Sequence, residues 1–210
     1  MAAPNPWLKP GVIAGACLPG VVIVARAFTG NLGANPITEA LNRFGLCALI
    51  FLVAGLACSP VKLLTGWAWP IRIRRAVGVI SFCYASVHLL TYAGVDQGFA
   101  FGTLFQDVLK RPFIAVGFLA WLIMAPLAIT STDGMVKRLG FVRWKQLHRL
   151  TYAAGALGVL HFYMRVKSDV REPLIYAAVL ATLLVLRVVD AIRNPKPKPK
   201  PRAAPAPKPG

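Results

Sequence analysis

Three histidines, His88, His148 and His161, are the only imidazoles among 210 residues, and all three fall in segments apolar enough to enter a membrane. Ionisable side chains in hydrocarbon are costly and usually mark a function. A single such histidine is most simply a hydrogen-bonded core residue; three in two segments ask for more. His88 stands six residues before Gly94, and His161 six before Lys167. At 1.5 Å per residue each lies about 9 Å from the outer end of its helix. Two imidazoles at one depth on separate helices are what axial ligation of a haem iron requires. His148 precedes His161 by 13 residues, about 20 Å deeper, a level that suits a second haem.

The spacing also argues against a symmetrical pair of sites. Thirteen residues on one continuous helix turn through about 220° beyond whole turns, so His148 and His161 do not share a stripe. Fourteen residues before His88 stands Arg74, not a histidine. From spacing alone two readings stand: haem ligation, or structural histidines satisfied within a helical core.

The elements that carry these residues follow from composition. The chain is 57% hydrophobic and 15% charged, with a mean hydropathy of +0.61. A soluble domain carries about 25% charged residues, so a soluble enzyme is excluded. Uncharged runs cover 10–25, 44–61, 76–95, 112–132, 150–164 and 173–186. A spanning helix needs about 20 residues. The third and fourth runs reach that length unaided. The others reach it if flanking cations, Arg187 among them, snorkel to the interface. The expected fold is all-α: a polytopic bundle of six membrane helices at 10–28, 44–61, 75–94, 112–131, 146–164 and 173–190. The first helix is kept, although Ala25-Arg26-Ala27 resembles a signal-peptide cleavage site.

The net charge of +17 is distributed as an orientation signal. Six spans put 17 Lys/Arg on the side shared by both termini and seven on the other. That bias places both termini in the cytoplasm, and no nucleic-acid partner is expected. The four cysteines form no C-x-x-C pair and read as small hydrophobes. The membrane domain is expected over 1–193. From 194 to 210 the chain turns to Pro, Lys and Ala, a tail with nothing to bury that is expected to be extended and solvated in the cytoplasm, with anionic headgroups the alternative neighbour for its charge.

Several motifs go beyond generic membrane helices. They are Leu-Gly-Ala-Asn-Pro at 32–36, Ile-Arg-Ile-Arg-Arg at 71–75, His88-Leu89 followed by Tyr92, and Lys-Arg-Pro-Phe at 110–113. Ile-Thr-Ser-Thr at 129–132, Arg-Trp-Lys-Gln-Leu-His at 143–148, His-Phe-Tyr at 161–163 and Pro-Leu-Ile-Tyr at 173–176 complete them. In these the chain resembles the MsrQ (YedZ) family, haem-binding membrane subunits of the bacterial periplasmic methionine sulfoxide reductase system. That family belongs to the ferric-reductase-like transmembrane group, with the membrane parts of NADPH oxidases. The likeness covers about 30–190 and is most specific in Arg-Trp-x-x-Leu-His and the three histidines.

The resemblance implies b-type haem, one or two, whose iron is held by His88, His148 and His161. It implies FMN, for which no Gly-rich phosphate loop stands out. It implies a periplasmic molybdopterin-containing partner, MsrP, as the catalytic subunit. Electrons would come from the quinone pool or a cytosolic flavin reductase, across the bacterial inner membrane. Arg74 stands where oxidase relatives carry a fourth haem histidine. The cluster Arg72, Arg74 and Arg75 reads equally as a cytoplasmic anchor or, through Arg74, as a contact to an inner haem. Two other readings remain open on residues alone: a ferric or cupric reductase-type carrier, and a small transporter with histidine proton relays.

Overall fold

A computed structural model describes residues 5–195, and the tail expected beyond 194 lies almost wholly outside them. The described chain is helical throughout. The long helices are α1 (Leu8–Phe28), α2 (Pro36–Thr65), α3 (Trp69–Leu90), α5 (Pro112–Ile129), α8 (Leu150–Arg165) and α9 (Arg171–Arg193). Short helices α4 (Phe101–Lys110), α6 (Asp133–Leu139) and α7 (Phe141–Leu147) fill the two longest connections. A π-helical turn, Thr91–Asp96, continues α3. Five helices are long and apolar enough to cross a membrane; α8, with 16 residues, falls short by itself.

The central element is α2. The Asn35 side chain accepts the Thr38 amide at 3.3 Å and Pro36 occupies the first turn, a strong helix start. The helix therefore begins eight residues before the expected span at 44, taking in Arg43, which pairs with Glu39 at 2.6 Å. It ends at Gly66, whose φ of 72° is the left-handed cap that glycine adopts without strain. On α2 meet three apolar clusters: Phe44 with Ile23 and Tyr84; Leu49, Val53 and Leu56 with Val159 and Leu180; and Leu52 with Met124 and Ala154. One helix thus touches α1, α3, α5, α8 and α9.

Polar bonds fix the neighbours. The fully buried Ser81 donates to the Ala48 carbonyl at 2.7 Å, locking α3 on α2. Tyr84 donates to the Ala16 carbonyl at 2.7 Å and accepts the Gly20 amide at 2.8 Å, joining α1 to α3. The Trp121 indole donates to Ser86 at 3.0 Å, joining α5 to α3.

Two expectations are corrected. The span expected at 146–164 is not continuous: α7 stops at Leu147 and α8 starts at Leu150, with His148 at the junction. There the Arg149 and Tyr152 amides bond to carbonyls three residues back, a tightened turn that redirects the axis. The angular argument separating His148 from His161 therefore does not apply, since no single helix carries both. Arg187 does not snorkel outward. It donates to the Leu56 carbonyl at 2.6 Å and to the Tyr152 hydroxyl, inside the bundle. The connection 96–110 holds α4. Phe101, Phe105 and Leu109 are exposed on one side of that helix, and Asp107 on the other accepts the Tyr92 hydroxyl at 2.6 Å. A one-turn repeat of large apolar residues on a short helix suits the membrane–water boundary. Among the cysteines, all free, Cys58 is buried and Cys17 and Cys83 are exposed.

The α1–α3 junction gives a stability prediction. Tyr84→Phe removes the hydroxyl that satisfies both Ala16 and Gly20, at a cost of about 1–2 kcal/mol. A lowered thermal midpoint in detergent, with unchanged helical circular dichroism at 20 °C or thereabouts, is the expected result.

Candidate functional site

His88 on α3 and His161 on α8 face each other with ring centroids 6.1 Å apart and planes at 77°. Each ring is held from behind by the same device. His88 Nδ1 lies 2.9 Å from the Leu41 carbonyl oxygen on α2. His161 Nδ1 lies 2.7 Å from the Phe113 carbonyl oxygen on α5. A carbonyl only accepts, so each ring donates from Nδ1, and the neutral ring then leaves Nε2 as its basic nitrogen. Such an outer partner sets the tautomer and orientation of a metal-binding histidine.

Room for each ring comes from a glycine one turn along the partner helix. A Cβ at Gly45 would lie 3.1 Å from His88 Nδ1, and one at Gly117 only 2.6 Å from His161 Nδ1. These two glycines were not singled out from sequence. The available signal was a glycine four residues after the residue whose carbonyl accepts, Leu41–Gly45 and Phe113–Gly117.

Between the rings opens a cavity of about 620 Å³, reaching from His88 and His161 past Leu49, Trp121 and Met124. Its lining also includes Arg43, Arg111 and Arg165 with Glu39, Asp96 and Glu172. Arg111 pairs with Asp107 at 3.2 Å, whereas Arg165 donates to Asn42 at 2.6 Å. Ligand pockets commonly run 300–1,000 Å³ with mostly apolar walls and a few polar groups. Among the described residues no group of three or more His, Cys, Asp and Glu side chains gathers to cage a metal. An ion here would bring its remaining ligands with it. Metal–imidazole bonds of about 2.0–2.1 Å put the centroids of two rings sharing one ion roughly 6 Å apart. The observed pair meets that requirement, so the residues fit a planar, metal-bearing macrocycle between α3 and α8.

His148 is not brought to this pair. Its ring stacks on Trp144 with centroids 4.0 Å apart. Its Nδ1 lies 3.0 Å from the Trp144 carbonyl oxygen, and its Nε2 lies 3.4 Å from Ser131 Oγ. Arg74 donates to Ser59 at 3.1 Å and does not line the cavity. Nearby, Arg75 pairs with Asp133, and that hydrogen bond with its charge holds the exposed carboxyl below the usual carboxylate range. Three aromatics turn to protein partners. Trp144 donates to the Thr130 carbonyl at 2.9 Å, Tyr152 accepts from Arg187, and Tyr92 bonds Asp107.

A helical membrane bundle with two facing histidines above a haem-sized cavity defines a membrane cytochrome-like class. Residues 10–159 match the family model "Ferric reductase like transmembrane component". A Rhodospirillum rubrum protein named "Protein-methionine-sulfoxide reductase heme-binding subunit MsrQ" is 51% identical over 180 residues, 85% of this chain and 86% of its own. The Deinococcus radiodurans protein of that name is 45% identical over 90% of this chain and 94% of its own. The Xanthomonas euvesicatoria one is 52% identical over 75% and 72% respectively. This chain belongs to the MsrQ family, within the ferric-reductase-like transmembrane group.

The glycine–histidine packing is directly testable. Gly117→Ala forces His161 off the Phe113 carbonyl and strands a half-buried donor, a cost of about 1–3 kcal/mol. Gly158→Ala, whose Cβ would meet only a Leu49 methyl at 3.5 Å, is the control. The expected result is a clear fall in thermal midpoint for the first variant and little change for the second.

Proposed function

We propose that this protein is the haem-binding membrane subunit of a protein-methionine-sulfoxide reductase system. In this reading it passes electrons across the bacterial inner membrane to a periplasmic molybdopterin-containing, MsrP-like partner. The observation that carries the reading is the His88–His161 pair, 6.1 Å apart, with each Nδ1 tied to a backbone carbonyl. Haem b, when bound, supplies one-electron carriage between ferric and ferrous iron. His88 and His161 would hold its iron through Nε2. Two imidazoles leave no open coordination position, which suits electron transfer rather than oxygen chemistry. Leu41 and Phe113 hold the tautomers, Gly45 and Gly117 admit the rings, and the apolar walls exclude water. Arg43, Arg111 and Arg165 supply positive charge in the lining for carboxylates.

His148 and Arg74 are assigned to a second, inner haem, His148 through Nε2 and Arg74 as a charge partner. FMN is the further cofactor that the resemblance implies, and no residue is assigned to it. The donor in this reading is the quinone pool or a cytosolic flavin reductase, with catalysis on the partner subunit. Both termini are placed in the cytoplasm. The Lys9 end of α1 and the Arg75–Asp133 pair line one groove, which supports their lying at the same end of the bundle.

Two experiments test the assignment. Haem per protein and low-temperature electron paramagnetic resonance are measured for His88→Ala, His161→Ala and His148→Ala. Loss of the low-spin six-coordinate signal is expected in the first two, and selective loss of an inner component in the third. A variant His148→Ala that lost all haem while His88→Ala lost none would reverse the pairing. For topology, a C-terminal alkaline phosphatase fusion is expected to be inactive; an active one would invert the bundle and with it the direction of electron flow.

A further inference from the structure

The connection between α5 and α8 is a helical hairpin. α6 and α7 have seven residues each and turn at Gly140, where φ is 77°. Lys137, Arg138, Arg143, Lys145 and Arg149 are all exposed on it. The acid on this segment, Asp133, is taken up by Arg75. Beneath the charges runs a line of rings. Phe141, 65% exposed, stacks on Trp144 at 6.3 Å and 20°, and Trp144 stacks on His148 at 4.0 Å. The Arg75 guanidinium lies 5.6 Å from the Trp144 ring centroid. An exposed aromatic is thus in unbroken ring contact with the one histidine outside the outer pair. Orientation in the membrane needs positive charge alone. It does not call for an exposed phenyl ring leading inward to an imidazole.

We propose that the α6–α7 hairpin is the docking surface for an acidic, soluble electron-donor protein, with Phe141 and Trp144 bridging from that surface to His148. The proposal rests on the electron-carrier reading above and adds where the donor binds and by what chemistry. Clustered cations attract an acidic partner, orient it and speed the encounter, with an effect that salt screens. In each encounter the donor's reduced cofactor loses one electron and a ferric haem iron gains it, and no atom changes hands.

The test uses the full-length protein in nanodiscs of phosphatidylcholine, with flavodoxin as the acidic donor probe and reduced riboflavin as a small probe lacking phosphate. Affinity for oxidised flavodoxin and the rate of haem reduction are read at about 50 mM and about 300 mM salt. The variant is Lys137→Glu/Arg138→Glu/Lys145→Glu, with the milder Lys137→Gln/Lys145→Gln should charge reversal impair folding. The triple variant is expected to weaken flavodoxin binding and slow reduction by flavodoxin at least tenfold at low salt, and the milder one about threefold. High salt is expected to do the same to the parent, and reduction by riboflavin to change less than twofold. Phe141→Ala is expected to keep flavodoxin affinity and slow its reduction rate about fivefold. Equal, salt-insensitive flavodoxin binding by parent and variants would overturn the proposal. So would a variant that lost only its preference for phosphatidylglycerol vesicles, which would make the hairpin a headgroup anchor. A protein without haem would sink the electron-carrier reading, whereas flavodoxin affinity reports on the docking surface independently.

Discussion

The bundle turns on two hydrogen bonds between an imidazole and a helix carbonyl. A backbone carbonyl inside a helix already accepts an amide four residues on, and its second lone pair is reached only if the groove beside it is clear. In α2 the amide four residues after Leu41 belongs to Gly45, and in α5 the one after Phe113 belongs to Gly117. Each glycine opens the groove at the place where a histidine from the next helix must enter. α3 therefore packs on α2, and α8 on α5, at the distance that an imidazole edge sets. The remaining contacts, Ser81 on Ala48 and Trp121 on Ser86, stiffen a spacing that those two rings define.

The two halves are alike in a way that plain sequence comparison hides. His88 reaches back 47 residues to its carbonyl and His161 reaches back 48. Each half is a helix with a carbonyl–glycine step followed by a helix with a histidine. Few letters are shared between the halves, a glycine and a histidine among them, too few to register as a repeat against apolar background. The cavity forms where the two halves meet, so neither half alone contains the site.

What could be read in advance was whatever depends on depth. Counting residues from each helix end put His88 and His161 at one level, and the chain brings their rings together. What could not be read depends on the direction a side chain takes. Arg187 has the sequence setting of an interfacial anchor, yet its guanidinium turns inward to Leu56 and Tyr152, and its buried Nε has no partner among the described residues. The break at His148 was hidden for a similar reason. Neither glycine nor proline marks it, and only the tightened amide pattern after Gln146 reveals it. The glycines of the site were passed over because a glycine in a membrane helix signals close approach without saying of what.

The length of α8 bears on the bilayer itself. Sixteen residues rise about 24 Å, against a hydrocarbon slab of about 30 Å. Leu160, Tyr163 and Met164 on this helix are exposed, so acyl chains meet it directly. Lipids along that flank must shorten to match it, at fractions of a kcal/mol for each ångström. The protein thus carries a built-in dimple. Thinner membranes relieve the mismatch and thicker ones load it onto the helix that holds His161, so acyl-chain length becomes a variable acting on the His88–His161 side of the bundle.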